Sequence, residues 1–202
     1  MPPCGRPFAP VDGVRVSICA KMISPRGLGS ADPVREAVRR LVAEGLLVLG
    51  PWNGALVAEL DADQIAGLYA VRESMEGTAA SLAAQLATKA EISRLRDIIA
   101  READALGDPQ SLVRINDRFH DTLYRAAHNR FLLQSLTAVV DTLGLLKHST
   151  FVLPGSGTAA HRQHAVIVKA VTKRDPGAAE QLARVHVRDS LELRLNLMHA
   201  NK

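Results

Sequence analysis

The spacing of apolar residues along the chain predicts a protein built mainly from α-helices. From residue 62 onwards, apolar positions recur three and four residues apart, the period of a helix with one buried face. Gly, Pro and Asp clusters interrupt this period and separate one helix from the next. The pattern predicts a bundle of six or seven helices, with segments at residues 62–87, 89–106, 109–128, 131–151, 158–173 and 175–199.

A shorter helix and a hairpin are predicted before this bundle. Residues 33–44 have a helical period, proline stands at the favoured first position, and Gly45 can end the helix. Apolar runs at residues 46–49 and 55–58 flank a Gly/Pro/Asn turn, which indicates a β-hairpin. Residues 1–29 show no helical period and are predicted to be irregular. The side chains predicted to face inward from this helix are Val34, Ala37, Val38 and Leu41.

Four polar residues lie on or beside the apolar faces of the later helices. Asn116 and His120 are one turn apart on one predicted helix, and His164 and His186 follow apolar lines on the last two. A buried polar group is costly unless it finds a partner. Three imidazoles with one oxygen ligand suit a divalent transition metal such as zinc, nickel or manganese. The alternative for each histidine alone is a hydrogen-bonded core residue.

Composition and charge narrow the possible classes of protein. Of 202 residues, 47% are hydrophobic but only 3% are aromatic, which favours packed helices over a sandwich or barrel. The formal net charge of +4 permits contact with an anionic polymer. Cys4 and Cys19 do not form a Cys-x-x-Cys motif, so a reducing cytoplasm is expected. No stretch approaches the ~18 apolar residues of a membrane span.

Two segments resemble a known family of DNA-binding proteins. Residues 33–47 (PVREAVRRLVAEGLL) with the hairpin resemble the recognition helix and first wing strand of GntR-family transcription regulators. Residues 60–80 (LDADQIAGLYAVRESMEGTAA) are similar to the start of the all-helical effector domain, the FCD domain, of the FadR subfamily. The resemblance implies a winged helix-turn-helix DNA-binding domain at residues 1–59 and an effector-binding FCD domain at residues 60–202.

The same resemblance implies a metal site. In metal-containing members of the subfamily, Asp or Asn precedes Phe-His, and two further histidines lie on the last two helices. Here the motif is NDRFH at residues 116–120, so the implied ligands are Asn116, His120, His164 and His186. The neutral Asn replaces the more usual Asp and removes one negative charge from the ligand set. Asp117 is the second candidate for the oxygen ligand.

Binding residues for an effector and for DNA follow from the resemblance as well. Arg72, in YAVRE, matches a family arginine at the effector pocket, where a guanidinium would hold a carboxylate through two hydrogen bonds. The alternative for Arg72 is a helix salt bridge with Glu76. On the first helix, Arg35 is expected to contact a base edge or a phosphate, and Arg39 and Arg40 the DNA backbone.

The leading hypothesis is a ligand-responsive repressor that acts as a homodimer. It would bind a double-stranded DNA operator and a small carboxylate or hydroxy-acid effector. One alternative is an effector-binding protein with impaired DNA binding, because Ser30-Ala31-Asp32-Pro33 lacks the arginine of the family's Ser-Arg-Thr-Pro sequence. Another is a small His-site metalloenzyme. The sequence has no His-Glu-x-x-His motif, nucleophile elbow or phosphate loop, so no catalytic residue and no enzyme is expected.

Overall fold

The computed structural model describes residues 33–50, 55–146 and 148–200 of the chain. Contacts between Cα atoms divide the chain into two compact units, Met1–Glu59 and Leu60–Lys202. Helices dominate the described residues, so the prediction of a mainly α protein is confirmed. The prediction for residues 1–29 lies outside the described part of the chain.

Among its described residues, 33–50 and 55–59, the first unit contains one helix followed by two short strands. Helix α1 spans Pro33–Ala43, strand β1 spans Leu47–Leu49 and strand β2 spans Ala55–Val57. The strands pair in antiparallel fashion, with Val48 opposite Leu56 at the centre of the register. The predicted order of a helix and then a hairpin is therefore confirmed.

Gly45 ends helix α1 as the sequence predicts, but the inward face of this helix is not as predicted. Gly45 has a φ of 74°, and the N–H of Leu46 donates to the carbonyl of Leu41 at 2.9 Å. This left-handed residue and its hydrogen bond close the last turn, a conformation that glycine adopts without steric cost. The expectation that Ala37 and Leu41 face inward is wrong, because both are exposed.

The second unit is a bundle of six helices among its described residues. Most boundaries fall within two residues of the prediction, because each helix begins at a turn or capping residue. Asp61 and Gln64 form a reciprocal capping box at the start of the first helix, and Thr88 and Glu91 form another at the second. The helices are α2 (Ala62–Leu86), α3 (Lys89–Asp104), α4 (Pro109–Ala126), α5 (Arg130–Leu143), α6 (Ser156–Thr172) and α7 (Pro176–Ala200).

Helix α5 is shorter than the predicted segment 131–151. It ends at Leu143, and the N–H of Gly144 donates to the carbonyl of Val140 at 3.1 Å. Glycine is a poor helix former, so the chain leaves the helix there. A 3₁₀-helix, Thr150–Val152, follows, and its first turn is capped by the side chain of Ser149.

Helix α2 packs against α4, α5, α6 and α7 and so lies at the centre of this bundle. Small residues on its surface allow neighbouring helices to approach closely. A Cβ atom added at Gly77 would lie 2.9 Å from Cγ of Arg184 on α7, a distance that the side chain could not accept without moving. The fully buried alanines of α2 are Ala79, Ala80, Ala83 and Ala84. Across the described residues, each helix falls short of the length or apolar character that crossing a bilayer requires.

Candidate metal and effector site

Three buried histidines from three helices meet in the core of the helical unit. His120 comes from α4, His164 from α6 and His186 from α7. One nitrogen atom of each ring lies within 4.8 Å of the corresponding atoms of the other two. Their exposed fractions are 6%, 0% and 3%, so all three rings are buried. The structure thus brings together all three histidines that the sequence singled out.

Each imidazole is held through its Nδ1 atom by an oxygen acceptor. Nδ1 of His120 lies 3.1 Å from a carboxylate oxygen of Glu76, and Nδ1 of His164 lies 2.8 Å from one of Glu102. Nδ1 of His186 lies 2.9 Å from Oε1 of Gln163. The amide of Gln163 is oriented by Asp189, whose carboxylate accepts from its Nε2.

These contacts determine which nitrogen of each ring carries the proton. A carboxylate or amide oxygen only accepts, so Nδ1 of each histidine must donate to it, and the hydroxyl of Tyr124, 3.3 Å from Nδ1 of His120, is the more distant of the two groups at that atom. In the neutral ring, Nε2 then has a free lone pair. Outer partners of this kind are typical of metal-binding histidines, because they set both the tautomer and the orientation of the ring.

The Nε2 atoms point toward a common centre, and their arrangement fits a metal ion. Nε2 of His164 and Nε2 of His186 are 3.4 Å apart, although neither has a proton to donate to the other. Two nitrogen ligands of one tetrahedral zinc ion lie roughly this far apart, given bonds of ~2.0–2.1 Å. Nε2 of His120 is buried and has no hydrogen-bond partner among the described residues. A cation between the three lone pairs would satisfy all of them.

Burial keeps two of these rings in the form that binds metal. Burial lowers the pKa of His164, although its hydrogen bond to Glu102 acts in the opposite direction. Burial also lowers the pKa of His186 well below its ordinary value, and the nearby His164 and His120 add to this shift. Both rings are therefore neutral near pH 7. Metal ligation requires the neutral imidazole, so no proton has to be displaced at these two positions.

Arg72 and Glu76 form a buried ion pair directly behind His120. Nε of Arg72 donates to one carboxylate oxygen of Glu76, and His120 contacts the other. Burial alone would raise the pKa of Glu76, but Arg72 and His120 hold it well below its usual range. Burial likewise opposes the charge on Arg72, yet Glu76 raises the pKa of the guanidinium above its ordinary value. The ring of Tyr69 lies beside Arg72, with its centroid 5.3 Å from Cζ.

A cavity of about 870 Å³ is lined by His120, His186 and Arg72. Its volume lies in the range of small-molecule binding sites, ~300–1,000 Å³. The predicted salt bridge of Arg72 is therefore present, and the same side chain also lines the cavity. The polar residues on its wall also include Asn116, Asp117, Tyr124, Arg125, Gln163, Ser190 and Arg194.

The two candidates for the oxygen ligand both lie on the wall of this cavity. Asn116 is half-buried and stands one turn before His120 on α4. Asp117 is exposed, and its carboxylate accepts weakly from the amide of Asn116 at 3.5 Å. Asp117 does not belong to the described cluster of close ligand atoms, which contains the three histidines.

Sequence reasoning missed two residues that hold the cluster. Glu102, on α3, is fully buried behind His164, and Gln163 positions His186. A signal for Glu102 was present, because it continues the line of Ile92, Leu95 and Ile98 on the apolar face of α3. No comparable signal marked Gln163. Three other histidines, His128, His148 and His199, are exposed.

The arginines predicted to contact DNA lie on helix α1 in the first unit, and all three are exposed. Arg39 is 3.7 Å from Glu36, and Arg40 is 3.5 Å from Glu44. Exposed pairs of this kind contribute little to stability, so the side chains can be redirected to other partners. Their exposure is compatible with a role in binding an anion.

A helical bundle with histidines converging beside a buried arginine defines a class of ligand-binding regulatory domain. Residues 67–189 match the FCD domain, more than half of the chain. The chain belongs to the FCD-domain family and, with it, to the GntR family of transcription regulators.

Relatives that are similar over most of their length are transcription regulators. The Nta operon transcriptional regulator of Aminobacter aminovorans is 30% identical, with 77% of this chain and 74% of the relative covered. The probable D-xylose utilization operon transcriptional repressor of Paenarthrobacter nicotinovorans is 32% identical, with 78% and 70% covered. Because such relatives are regulators and not enzymes, the expectation that this chain is not an enzyme is confirmed, and the metalloenzyme alternative is set aside.

Solved structures support the same fold. Escherichia coli McbR/YncC superposes with a TM-score of 0.74 at 19% identity, and the match covers 84% of this chain and 82% of that one. The metal-free FCD domain of TM0439, a putative transcriptional regulator, superposes with a TM-score of 0.58 at 16% identity, covering 71% and 99%. At these identities the likeness shows the fold alone.

Proposed function

We propose that this protein is a dimeric, metal-dependent transcription repressor of the FadR subfamily that responds to a small organic acid. Residues 1–59 would form its winged helix-turn-helix DNA-binding domain, and residues 60–202 its effector domain. The observation that carries this proposal is the convergence of three buried imidazoles, two of which, His120 and His186, line a cavity that a buried guanidinium also lines. Membership of a family of transcription regulators supports the link from that site to DNA.

The proposed metal ligands are Asn116, His120, His164 and His186. Three imidazoles and an amide oxygen suit a divalent transition metal ion such as zinc, nickel or manganese. The bound ion would act as a Lewis acid that attracts an anionic oxygen of the effector. Glu76 and Gln163 hold the rings of His120 and His186 in place before the ion enters, which reduces the reorganisation that binding requires.

The proposed effector is a small carboxylate or hydroxy acid held between the metal and Arg72. A guanidinium pairs well with a carboxylate because its donors match the two oxygen atoms. The ion pair with Glu76 fixes Arg72 in the cavity wall, so little side-chain entropy remains to be lost on binding. Such an effector would lower DNA affinity if it bound more tightly to the DNA-free state than to the DNA-bound state.

A thermal-shift titration tests the metal and the acid together. Zinc at ~100 times its dissociation constant should stabilise the folded protein by roughly 2.7 kcal/mol. A short hydroxy acid should then raise the midpoint of the zinc-loaded protein further, while its neutral amide should not. Equal effects of the acid and the amide would contradict an anion-binding site. No shift with zinc, nickel or manganese would contradict the metal site.

Substitution of Arg35 by alanine should weaken binding to the operator. Phosphate contacts release counterions, so DNA affinity should fall steeply with salt, and loss of one contact should reduce the salt slope by about 1. Fluorescence anisotropy with DNA from upstream of the gene, at two or more salt concentrations, measures both quantities. Arg101, which is exposed in the helical unit, provides the matched control.

Equal affinity and equal salt slope in the Arg35→Ala and wild-type proteins would contradict this role for Arg35. A wild-type protein that binds the acid but no DNA would support the alternative of an effector-binding protein with impaired DNA binding. This alternative is retained because residues 30–33 lack the arginine of the family's Ser-Arg-Thr-Pro sequence.

A further inference from the structure

Glu102 is a fully buried carboxylate on α3, a helix that provides none of the proposed metal ligands. Burial of a carboxylate is costly unless other groups compensate its loss of water. Its neighbours on the same face of α3 are apolar, including Leu95 and Ile98. An aliphatic residue would therefore fit the helix pattern better. The presence of an acid at this position requires another explanation.

The contacts of Glu102 are with two imidazoles of α6. One carboxylate oxygen accepts from Nδ1 of His164 at 2.8 Å, and the other lies 3.3 Å from Nδ1 of His161. The contact with His164 is the shorter one, and both of its partners are fully buried. Phe119 stacks on the other side of the His164 ring at a centroid distance of 4.0 Å. The ring is thus held by a hydrogen bond at its edge and by an aromatic ring on its face.

Glu102 differs from the acceptors behind the other two histidines. Glu76, behind His120, also accepts from Arg72, so its charge is largely balanced within the protein. Gln163, behind His186, is a neutral amide. Among the described contacts, Glu102 is the one of these three acceptors that is a carboxylate without a guanidinium partner. Asn116 contributes no charge either.

We propose that Glu102 is a positioning residue for the metal site, holding His164 with Nδ1 protonated and Nε2 directed at the shared centre. Glu102 also places a negative charge behind the proposed ligand His164. This charge compensates for the proposed oxygen ligand, Asn116, which is neutral. A cation among three imidazole rings is stabilised by a nearby carboxylate in a medium of low dielectric. This inference rests on the proposed metal-binding function.

Substitution of Glu102 by glutamine tests the proposal, because the shape of the side chain is kept and the charge is removed. Zinc affinity, measured by competition with a chromophoric chelator, should fall ~10–100-fold, the usual effect of losing an outer partner of a metal ligand. His161→Ala is the matched control, since it removes the second partner of the same carboxylate and leaves His164 in place. Its zinc affinity should stay within ~3-fold of wild type, well below the change expected for an outer partner.

Nitrogen NMR of the imidazole rings gives an independent readout on the metal-free protein. His164 should have a protonated Nδ1 and a bare Nε2 in the wild type, and a mixture of tautomers in Glu102→Gln, because the amide introduced there can offer Nδ1 either its oxygen or its NH2 group. If Glu102→Gln does not fold, Glu102→Asp retains the charge, and its His164 should keep the wild-type tautomer. Unchanged zinc affinity together with an unchanged tautomer in Glu102→Gln would overturn the proposal, as would loss of the tautomer in a folded Glu102→Asp. Failure of the wild type to bind zinc, nickel or manganese would instead contradict the proposed function itself.

Discussion

Substitution of His186 by alanine should lower the zinc affinity of this protein by more than ~100-fold, because even outer-shell changes typically cost ~10–100-fold. The imidazole lost is the one whose Nε2 lies 3.4 Å from that of His164. Alanine leaves two imidazoles and one amide at the cluster, too few for a closed tetrahedral structural site. Elemental analysis after dialysis against zinc, and a chelator competition assay, measure the loss.

His199→Ala is the control for this substitution, because His199 is an exposed histidine on the same helix. It should bind as much zinc as the wild type. The thermal stabilisation by zinc should disappear in His186→Ala and persist in His199→Ala. If zinc loading were the same in all three proteins, the convergence of the histidines would reflect core packing alone.

Substitution of Arg72 by alanine should have two large effects. It leaves the carboxylate of Glu76 buried without its guanidinium, which should reduce the free energy of unfolding by about 3–5 kcal/mol. It also removes the proposed partner of the effector, so binding of a carboxylate to the folded, zinc-loaded variant should weaken by about 2–5 kcal/mol. Urea unfolding and titration calorimetry measure the two effects separately.

Arg125 provides a control that shares the geometry of Arg72 but not its burial. It also pairs with a carboxylate one helical turn away, at 2.9 Å from Asp121, and it also lines the cavity, but its side chain is exposed. Arg125→Ala should therefore leave the unfolding midpoint nearly unchanged. Reduced stability with undiminished effector affinity in Arg72→Ala would assign Arg72 to the salt bridge with Glu76 alone.

Much of the fold is predictable from local sequence signals. Caps such as Asp61 and Thr88 and the left-handed Gly45 mark the ends of helices through interactions within a few residues, which the sequence displays directly. The three histidines were also predictable, because each lies on or beside the apolar face of its helix. The predicted segment for helix α5 was too long. Apolar residues beyond Gly144 have a spacing that resembles a helical period, but the helix ends at Leu143.

The sequence alone determined the helices, their inward faces in the bundle and the imidazoles on those faces, since all three depend on periodicity and on contacts within a turn or two. Only the tertiary structure decided which groups meet across long distances in the chain. Glu102 contacts His164, which lies 62 positions later in the sequence, and His186 contacts Gln163, which lies 23 positions earlier. Such pairs depend on how helices are placed side by side, because a helix pattern specifies which face is buried but not which residue lies opposite. For the same reason, the ion pair of Arg72 with Glu76 was foreseeable as a one-turn contact, while its burial beside the histidines was not.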